Sequence, residues 1–284
     1  MHLYIPHNKL PEAVVPYPFE KHSKGYHRIP LVDHTTGSVH QAVGICELQP
    51  GGVVDYCLHT NEEGIFVIEG QLEVLRDRQA FRLSADDFAL IPYGIPHAYR
   101  NSGDKAVRWF EVSAPQPKAP GGWQDTIFFD AVWPEEVIPS GPEDPRVQLV
   151  GHFDEKTSES ESRGVGIATR GQKIYKFMGL PFGTQNFLLM IGILEPGGII
   201  GPHDHPIEEW YYGLSGELEF TMEEKVYHLH PGDVTWTGVG AMHYWHNTGN
   251  VPYRWIETHV PEMPTLYGSR NYPHWEKLRN LQKP

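Results

Sequence analysis

Three histidines and one glutamate in the second half of the chain have the types and the spacing of metal ligands. His203 and His205 lie two positions apart, Glu209 follows four positions later, and His243 comes from a separate segment after Gly240. Residues two apart on a strand share one face, so the first two imidazoles can bind the same ion. Imidazole nitrogens combined with a carboxylate favour Mn, Fe, Co, Ni or Zn over Ca or Mg. We therefore predict one divalent transition metal in this half of the chain.

The first half carries a similar pattern in which a cysteine replaces the first histidine. Cys57, His59, Glu63 and His97 stand at the corresponding positions. A thiolate binds Zn or Fe well, so these four residues form a possible second metal site. The alternative is that this half binds no metal, because a buried cysteine behaves as a small apolar side chain. We favour this alternative, and we expect Cys57 and Cys46 to be free thiols.

The two patterns belong to one internal repeat. Shifting the sequence by 146 positions places His59 on His205 without a gap. The same shift places Arg108-Trp109 on Arg254-Trp255 near the end of the module. A single register that relates about 65 consecutive positions predicts two copies of one structural unit.

Short strands separated by turns are predicted within each unit. Residues 185–194 are mainly apolar and in part β-branched or aromatic, and Glu195-Pro-Gly-Gly then forces a turn. Short runs at 209–214, 217–222, 225–230 and 233–237 follow, with turn residues between them. The 25 prolines and 29 glycines also indicate many turns and few long helices. This spacing predicts an all-β protein built as a sandwich or a barrel.

A length of 284 residues is enough for two domains. We predict an N-terminal domain with an N-terminal arm at 1–120, and an inter-domain linker with lead-in strands at 121–184. The C-terminal domain with its tail is predicted at 185–284. The Ser/Glu run at 157–163 is interpreted as a solvated loop.

The charge of the chain limits its partners. It has 36 acidic and 23 basic residues, a formal net charge of −13 at pH 7. This charge repels phosphate backbones and anionic lipid surfaces, so we expect neither nucleic acid nor membrane partners. No apolar run approaches the roughly 20 residues of a membrane span, and the start shows no signal-peptide pattern. We expect a cytoplasmic protein that acts on a small molecule.

The ligand pattern also resembles a known family. Two motifs carry the resemblance, namely His203-x-His205-x3-Glu209-x6-Gly216 and Gly232-Asp233 through Gly240-x2-His243-x3-Asn247. They are similar to the two motifs of the cupin superfamily, although Gly238 stands where that family usually has proline. The resemblance covers both halves and implies a bicupin. Such a protein has tandem jelly-roll barrels (double-stranded β-helices) with short helices and extended arms, and a homodimer is a candidate assembly.

Two features bear on the substrate. Between residues 185 and 260 the basic residues are Lys225 and Arg254, so an oxalate-like dianion is disfavoured. The same segment is rich in aromatic residues, which suit a planar or apolar substrate. Strand alternation places Tyr211 on the face of Glu209 and Trp245 on the face of His243, so both are candidates for the substrate pocket. Ordinary barrel core is the alternative for both.

Four protein ligands in a six-coordinate shell leave two positions open for a substrate, water or dioxygen, which favours an enzyme. We predict a mononuclear non-haem dioxygenase, a metal-dependent oxidoreductase, for a small aromatic or enolisable compound. Fe or Mn is the expected metal, with Ni, Co and Zn as other candidates, and Glu209 is the expected catalytic residue. Two alternatives remain: an Mn-dependent hydrolase or isomerase similar to ureidoglycine aminohydrolases, and a non-catalytic bicupin that binds a small molecule.

Overall fold

The computed structural model describes residues 1–121, 125–130, 132–161, 169–262 and 270–271. Within these ranges the chain is almost entirely strands and turns, so the prediction of an all-β protein is confirmed. The strands up to residue 128 are β1 (His2–Ile5), β2 (Ser23–Val32), β3 (Ala42–Leu58), β4 (Glu62–Glu69), β5 (Gln71–Arg76), β6 (Gln79–Ser84), β7 (Asp87–Ile91), β8 (His97–Arg100), β9 (Val107–Ala114) and β10 (Ile127–Phe128). The later strands are β11 (Val150–His152), β12 (Arg170–Met178), β13 (Leu188–Asp204), β14 (Glu208–Ser215), β15 (Leu218–Met222), β16 (Lys225–Leu229), β17 (Val234–Thr237), β18 (His243–His246), β19 (Tyr253–Val260) and β20 (Arg270–Asn271).

Three short 3-10 helices are described, at His7–Lys9, Phe19–Lys21 and Gly141–Glu143. No helix among the described residues is long and apolar enough to cross a membrane.

The strands form two curled sheets with the same order. The first sheet runs β11-β7-β4-β9-β3-β8-β5-β6, with β2 and β10 also paired to β3. The second runs β1-β17-β14-β19-β13-β18-β15-β16, with β12 and β20 also paired to β13. The long strands β3 and β13 have identical lengths and differ by the 146-position shift of the repeat. The two predicted barrels are therefore confirmed, and the internal repeat is a repeat of strand order.

Each sheet closes around its own apolar core. In the second barrel, Leu194, Phe220, Trp245 and Trp255 are almost completely buried against one another. The first barrel buries a corresponding cluster around Leu48 and Trp109. Removal of this apolar surface from water is the main stabilising contribution, at about 25 cal/mol per Å².

A buried asparagine ties the last hairpin of each barrel to its long strand. Asn247, just after β18, donates from Nδ2 to the carbonyl oxygens of Leu194 (2.8 Å) and Val251 (2.9 Å). Its Oδ1 accepts the N–H of Gly249 (2.9 Å). Asn101 makes the equivalent bonds in the first barrel. The repeat thus preserves the polar bonds that hold β8 and β18 in place, as well as the core.

The chain divides into two compact units whose limits differ from the sequence boundaries. One unit comprises 11–158 and 177–187, and the other comprises 1–10, 159–176 and 188–284. Residues 1–10 were assigned to the first domain, but β1 pairs with β17, with Tyr4 opposite Thr235. Residues 177–184 were assigned to the linker, but the segment to 187 belongs to the first unit. The buried Glu62 carboxylate accepts the backbone N–H groups of Gln185 and Asn186 there, each at 3.0 Å.

Candidate metal centre

The four residues predicted as ligands meet inside the second barrel. His203 lies near the end of β13, Glu209 in β14 and His243 at the start of β18, and all four side chains are buried. Strands β13 and β18 pair with His203 directly opposite His243, after a register shift that follows Ile200. Such an irregularity bends a strand and changes where its side chains point. The ligand nitrogens of the three histidines lie within 4.8 Å of one another.

The backbone fixes how these imidazoles present their nitrogens. Nδ1 of His203 bonds to the carbonyl oxygen of Gly201 (2.8 Å), and Nδ1 of His243 bonds to that of Ala241 (2.9 Å). Nδ1 of His205 bonds to a carbonyl oxygen in the same way, at 3.2 Å. A carbonyl only accepts, so each Nδ1 carries the proton. In the neutral ring this leaves a lone pair on Nε2, the arrangement found around metal-bound histidines.

Glu209 completes this group with an ionised carboxylate. Its Oε2 lies 2.7 Å from Nε2 of His205 and 3.2 Å from Nε2 of His243, and it accepts the hydroxyl of Tyr211. The contact with His205 is short but is not aligned as a hydrogen bond, so its buried Nε2 has no hydrogen-bond partner among the described residues. Burial alone would raise the pKa of Glu209, but His205 and His259 hold it well below its ordinary value.

These groups fit a divalent transition metal. The pKa of His203 is lowered to about 3 by burial and by the neighbouring His243, so this imidazole is neutral at physiological pH, as a ligand must be. An unpartnered buried nitrogen and an ionised carboxylate face the same point, and a metal ion would satisfy both.

The sequence reasoning missed two residues beside Glu209, namely Glu257 and His259 in β19, whose ligand atoms lie within 4.8 Å of one another and of Glu209. Nε2 of His259 lies 2.8 Å from Oε1 of Glu209 and 2.5 Å from Oε1 of Glu257. The Nε1 group of Trp255 donates to the other oxygen of Glu257 at 2.6 Å. Burial alone would lower the pKa of His259, but Glu209 and Glu257 raise it to about 10. Alternation along β19 puts residues 255, 257 and 259 on one face, a signal that could have identified them.

His259 differs from the other three histidines in its second ring nitrogen. Its Nδ1 is buried and has no hydrogen-bond partner among the described residues. Metal-bound histidines almost always donate their other ring N–H to a carbonyl or carboxylate. His259 therefore resembles a proton-bearing group between two carboxylates more than a metal ligand.

Both residues predicted for the substrate pocket border the candidate metal centre. A cavity of about 60 Å³ is lined by the four predicted ligands, by Tyr211 and Trp245, and by residues from β12. Trp245 also packs against Tyr211, Phe220 and Trp255, with ring centroids 4.4 to 4.8 Å apart. Trp245 therefore lines the cavity and also packs in the apolar core.

In the first barrel the structure groups three of the four candidate residues. Ligand atoms of His59, Glu63 and His97 lie within 4.8 Å of one another. Cys57 is not in this group, and its sulfur lies 3.9 Å from Nε2 of His97. Burial, with a further contribution from Glu63, raises the pKa of the Cys57 thiol well above its ordinary value. This environment favours a neutral thiol, and both Cys57 and Cys46 are free.

Comparisons with known proteins identify both halves of the chain. The family description "Cupin domain" matches residues 44–113 and 190–259. A polyketide synthase protein from Streptomyces cyaneus, CurC, is 36% identical over 98 residues, which cover 34% of this chain. That match spans 64% of CurC, less than two thirds of its length. Protein SchB from Streptomyces halstedii is 29% identical over 110 residues, covering 38% of this chain and 80% of SchB.

Solved structures with the same fold cover nearly the whole chain. An oxalate decarboxylase from Lactobacillus farciminis in complex with formate has a TM-score of 0.66 and 17% identity. The match covers 97% of this chain and 90% of that one. Oxalate decarboxylase from Bacillus subtilis at pH 4.6 has a TM-score of 0.64 and 16% identity, over 99% and 83% of the two chains. At these identities the similarity is one of fold.

Proposed function

Because the chain belongs to the cupin superfamily and carries one cupin domain in each half, we propose that it is a metal-dependent enzyme. Its metal is a divalent transition ion bound by His203, His205, Glu209 and His243 in the second barrel. The observation that carries the proposal is the set of three Nδ1–carbonyl bonds, which turns three Nε2 lone pairs toward one carboxylate.

The surrounding residues define what this chain contributes to the chemistry. When bound, the metal would supply a Lewis acid with positions open to substrate, water or dioxygen. Glu209 would bind it through Oε2, where the Tyr211 hydroxyl also donates. His259 lies against the other oxygen of Glu209, Oε1, and can carry a proton to it. The aromatic wall of Tyr211 and Trp245 limits the access of water.

We propose dioxygenation of a small aromatic or enolisable compound as the reaction, with iron as the first candidate metal and manganese as the second. The support is the donor set of imidazoles and one carboxylate together with the aromatic lining of the cavity. A metal-dependent hydrolase or isomerase is the alternative reaction, and it needs the same ligands but no oxygen.

The first experiment measures bound metals by plasma mass spectrometry after anaerobic purification. Wild type is compared with His203→Ala, which removes a proposed ligand, and with Cys57→Ala, a matched control in the other barrel. We expect about one metal per chain that disappears in His203→Ala and persists in Cys57→Ala. Metal that is unaffected by His203→Ala would refute the site, and absence of metal from wild type would favour a non-catalytic binding protein.

The second experiment separates the reactions. Oxygen uptake by the metal-loaded enzyme is followed with an oxygen electrode in the presence of small phenols, enols and 1,3-dicarbonyl compounds. Consumption that requires His203 supports the dioxygenase. Conversion of a substrate without oxygen consumption would support a hydrolase or isomerase instead.

A further inference from the structure

The larger of two described cavities lies in the first barrel, whose metal chemistry the sequence led us to doubt. Its volume is about 250 Å³, against about 60 Å³ for the cavity beside His203. The wall includes the group of His59, Glu63 and His97, and it also includes Arg28 from β2. A volume of this size approaches the lower end of the range of small-molecule pockets, about 300 Å³.

Arg28 is a buried cation whose neighbours are the Glu111 carboxyl and the Cys46 and Tyr26 side chains. Its side chain is 12% exposed, and Nε lies 3.4 Å from Oε1 of Glu111, too long and misaligned for a strong bond. Nε and Nη2 are both out of contact with water, and neither has a hydrogen-bond partner among the described residues. Unsatisfied donors on a buried charge lower the stability of the folded protein. A ligand that carries hydrogen-bond acceptors would satisfy these donors and remove this cost.

The backbone of the neighbouring strand makes room for this guanidinium. A Cβ atom placed on Gly44 would lie 2.6 Å from Nε and 2.9 Å from Cζ of Arg28. Any other residue at 44 would therefore displace the charged group. The glycine and the arginine belong to one arrangement that keeps a cation beside the cavity.

The second barrel lacks this arrangement. The 146-position shift places Arg28 on Ile174 and Gly44 on Met190, and both of these apolar residues line the smaller cavity. The smaller cavity has a different cation, Lys176, which pairs with Glu161 at 3.0 Å, so the two cavities differ in the type and position of the cation and in volume. This contrast argues against a purely structural role for Arg28, because the same fold forms around Ile174 without it.

Glu111 neutralises the guanidinium only in part. Its carboxyl group accepts a hydrogen bond from the buried Cys46 thiol at 3.3 Å. Burial and the nearby Glu63 raise the pKa of Glu111 to about 7, so a fraction of the carboxyl groups is protonated near neutral pH.

We infer that the cavity of the first barrel binds a small organic carboxylate, whose oxygens accept hydrogen bonds from Arg28. The apolar part of this ligand would lie against Tyr26, Val54 and Tyr99, which line the same cavity. Guanidinium is the side chain best suited to a carboxylate, because its planar donors match the two oxygens. The site is separate from the proposed metal centre, so either proposal can fail without the other.

Calorimetric titration with benzoate tests the inference, with benzyl alcohol as the uncharged counterpart of the same ring. We expect benzoate to bind wild type and to bind Arg28→Met about tenfold more weakly or worse, since a charge-assisted bond is lost. Arg108→Met is the matched control, because Arg108 pairs with Glu47 and does not line the cavity. That variant and His203→Ala should both bind benzoate like wild type, and benzyl alcohol should not distinguish Arg28→Met from wild type.

A structural measurement keeps the test independent of whether Arg28→Met folds. Crystals of wild type soaked with 4-bromobenzoate should show anomalous bromine signal inside the first barrel. The inference is overturned if benzoate does not bind wild type at millimolar concentration, or if Arg28→Met binds it equally well. Bromine signal in the second barrel alone, or loss of benzoate binding in His203→Ala, would also overturn it.

Discussion

Replacement of His259 by serine tests whether this residue positions Glu209 or binds the metal itself. Serine is the natural choice because Ser113 stands at the equivalent position of the first barrel. The substitution removes the imidazole between Oε1 of Glu209 and Oε1 of Glu257, contacts of 2.8 and 2.5 Å. Two buried carboxylates then face each other without the cation between them. Each would favour protonation of the other, and a protonated Glu209 binds metal poorly.

The expected loss of metal affinity follows from the role of the contact between His259 and Glu209. Groups that orient a metal ligand contribute about 10- to 100-fold to metal affinity, or about 1.4 to 2.7 kcal/mol. Glu209 keeps its bond from Tyr211 in this variant, and the three histidines keep their carbonyl partners. We therefore expect the metal affinity of His259→Ser to be about 10- to 100-fold lower than that of wild type. We expect His203→Ala to lose metal binding at this site.

The assay is titration of the metal-free protein with Co²⁺ in competition with a chelator, with the visible absorption of Co²⁺ recorded at saturation. If His259 only positions Glu209, the spectrum of His259→Ser at saturation stays that of wild type while the affinity falls. His259→Gln, which keeps a donor toward Glu209, should recover much of the affinity. An unchanged affinity in His259→Ser, or a changed spectrum with loss comparable to His203→Ala, would refute the reasoning.

Three further predictions concern the scaffold around the site. Asn247→Ala removes three hydrogen bonds and should lower the free energy of unfolding by about 3 kcal/mol in urea titration, whereas a change under 1 kcal/mol would contradict it. Burial alone would raise the pKa of Asp233, but hydrogen bonds from backbone N–H groups, including that of His7, lower this pKa below 3.8. The ionised carboxylate of Asp233 therefore stabilises the fold at pH values above 3.8. The melting temperature of Asp233→Asn should therefore fall below wild type at pH 7, with a gap that narrows as the pH drops through the folded pKa; a constant gap is the contrary result. Gly192→Ala would put a Cβ 2.1 Å from the Trp255 ring and should destabilise the protein by about 1 to 3 kcal/mol in thermal melting, and an unchanged midpoint would show that the ring can move.

The sequence was sufficient to predict the fold because the repeat constrains it twice. A strand pattern that is ambiguous in one half recurs in the other, and β3 and β13 have the same limits after the shift. The spacing of His203, His205 and Glu209 likewise predicted residues that the structure brings together, although their role as ligands stays a prediction. Period-two alternation predicts Tyr211 and Trp245 on the faces of Glu209 and His243, and both line the cavity beside these residues, while their contact with a substrate stays a prediction.

Other features depend on contacts that no local pattern specifies. The four residues of β1 give no signal that their partner is β17, so the sequence predicts residues 1–10 in the first domain, whereas the structure groups them with the strands of the second barrel. Arg28 lies outside the segment in which basic residues were sought, and its place in the cavity wall beside Gly44 depends on the pairing of β2 with β3. Alternation along β19 groups His259 with Glu257 on one face, but the position of His259 opposite Glu209 follows from the register of β14 and β19.

The pairing of β1 with β17 also has a consequence for how the protein is made. Tyr4 and Asp233, which share a hydrogen bond, are separated by 229 positions. At about 5 to 20 residues per second, the ribosome needs on the order of ten seconds or more between these two points. The barrel at residues 11–158 can assemble during this interval, while the first strand has no partner. A truncation that removes β1 would therefore leave β17 as an uncovered sheet edge and expose it to aggregation.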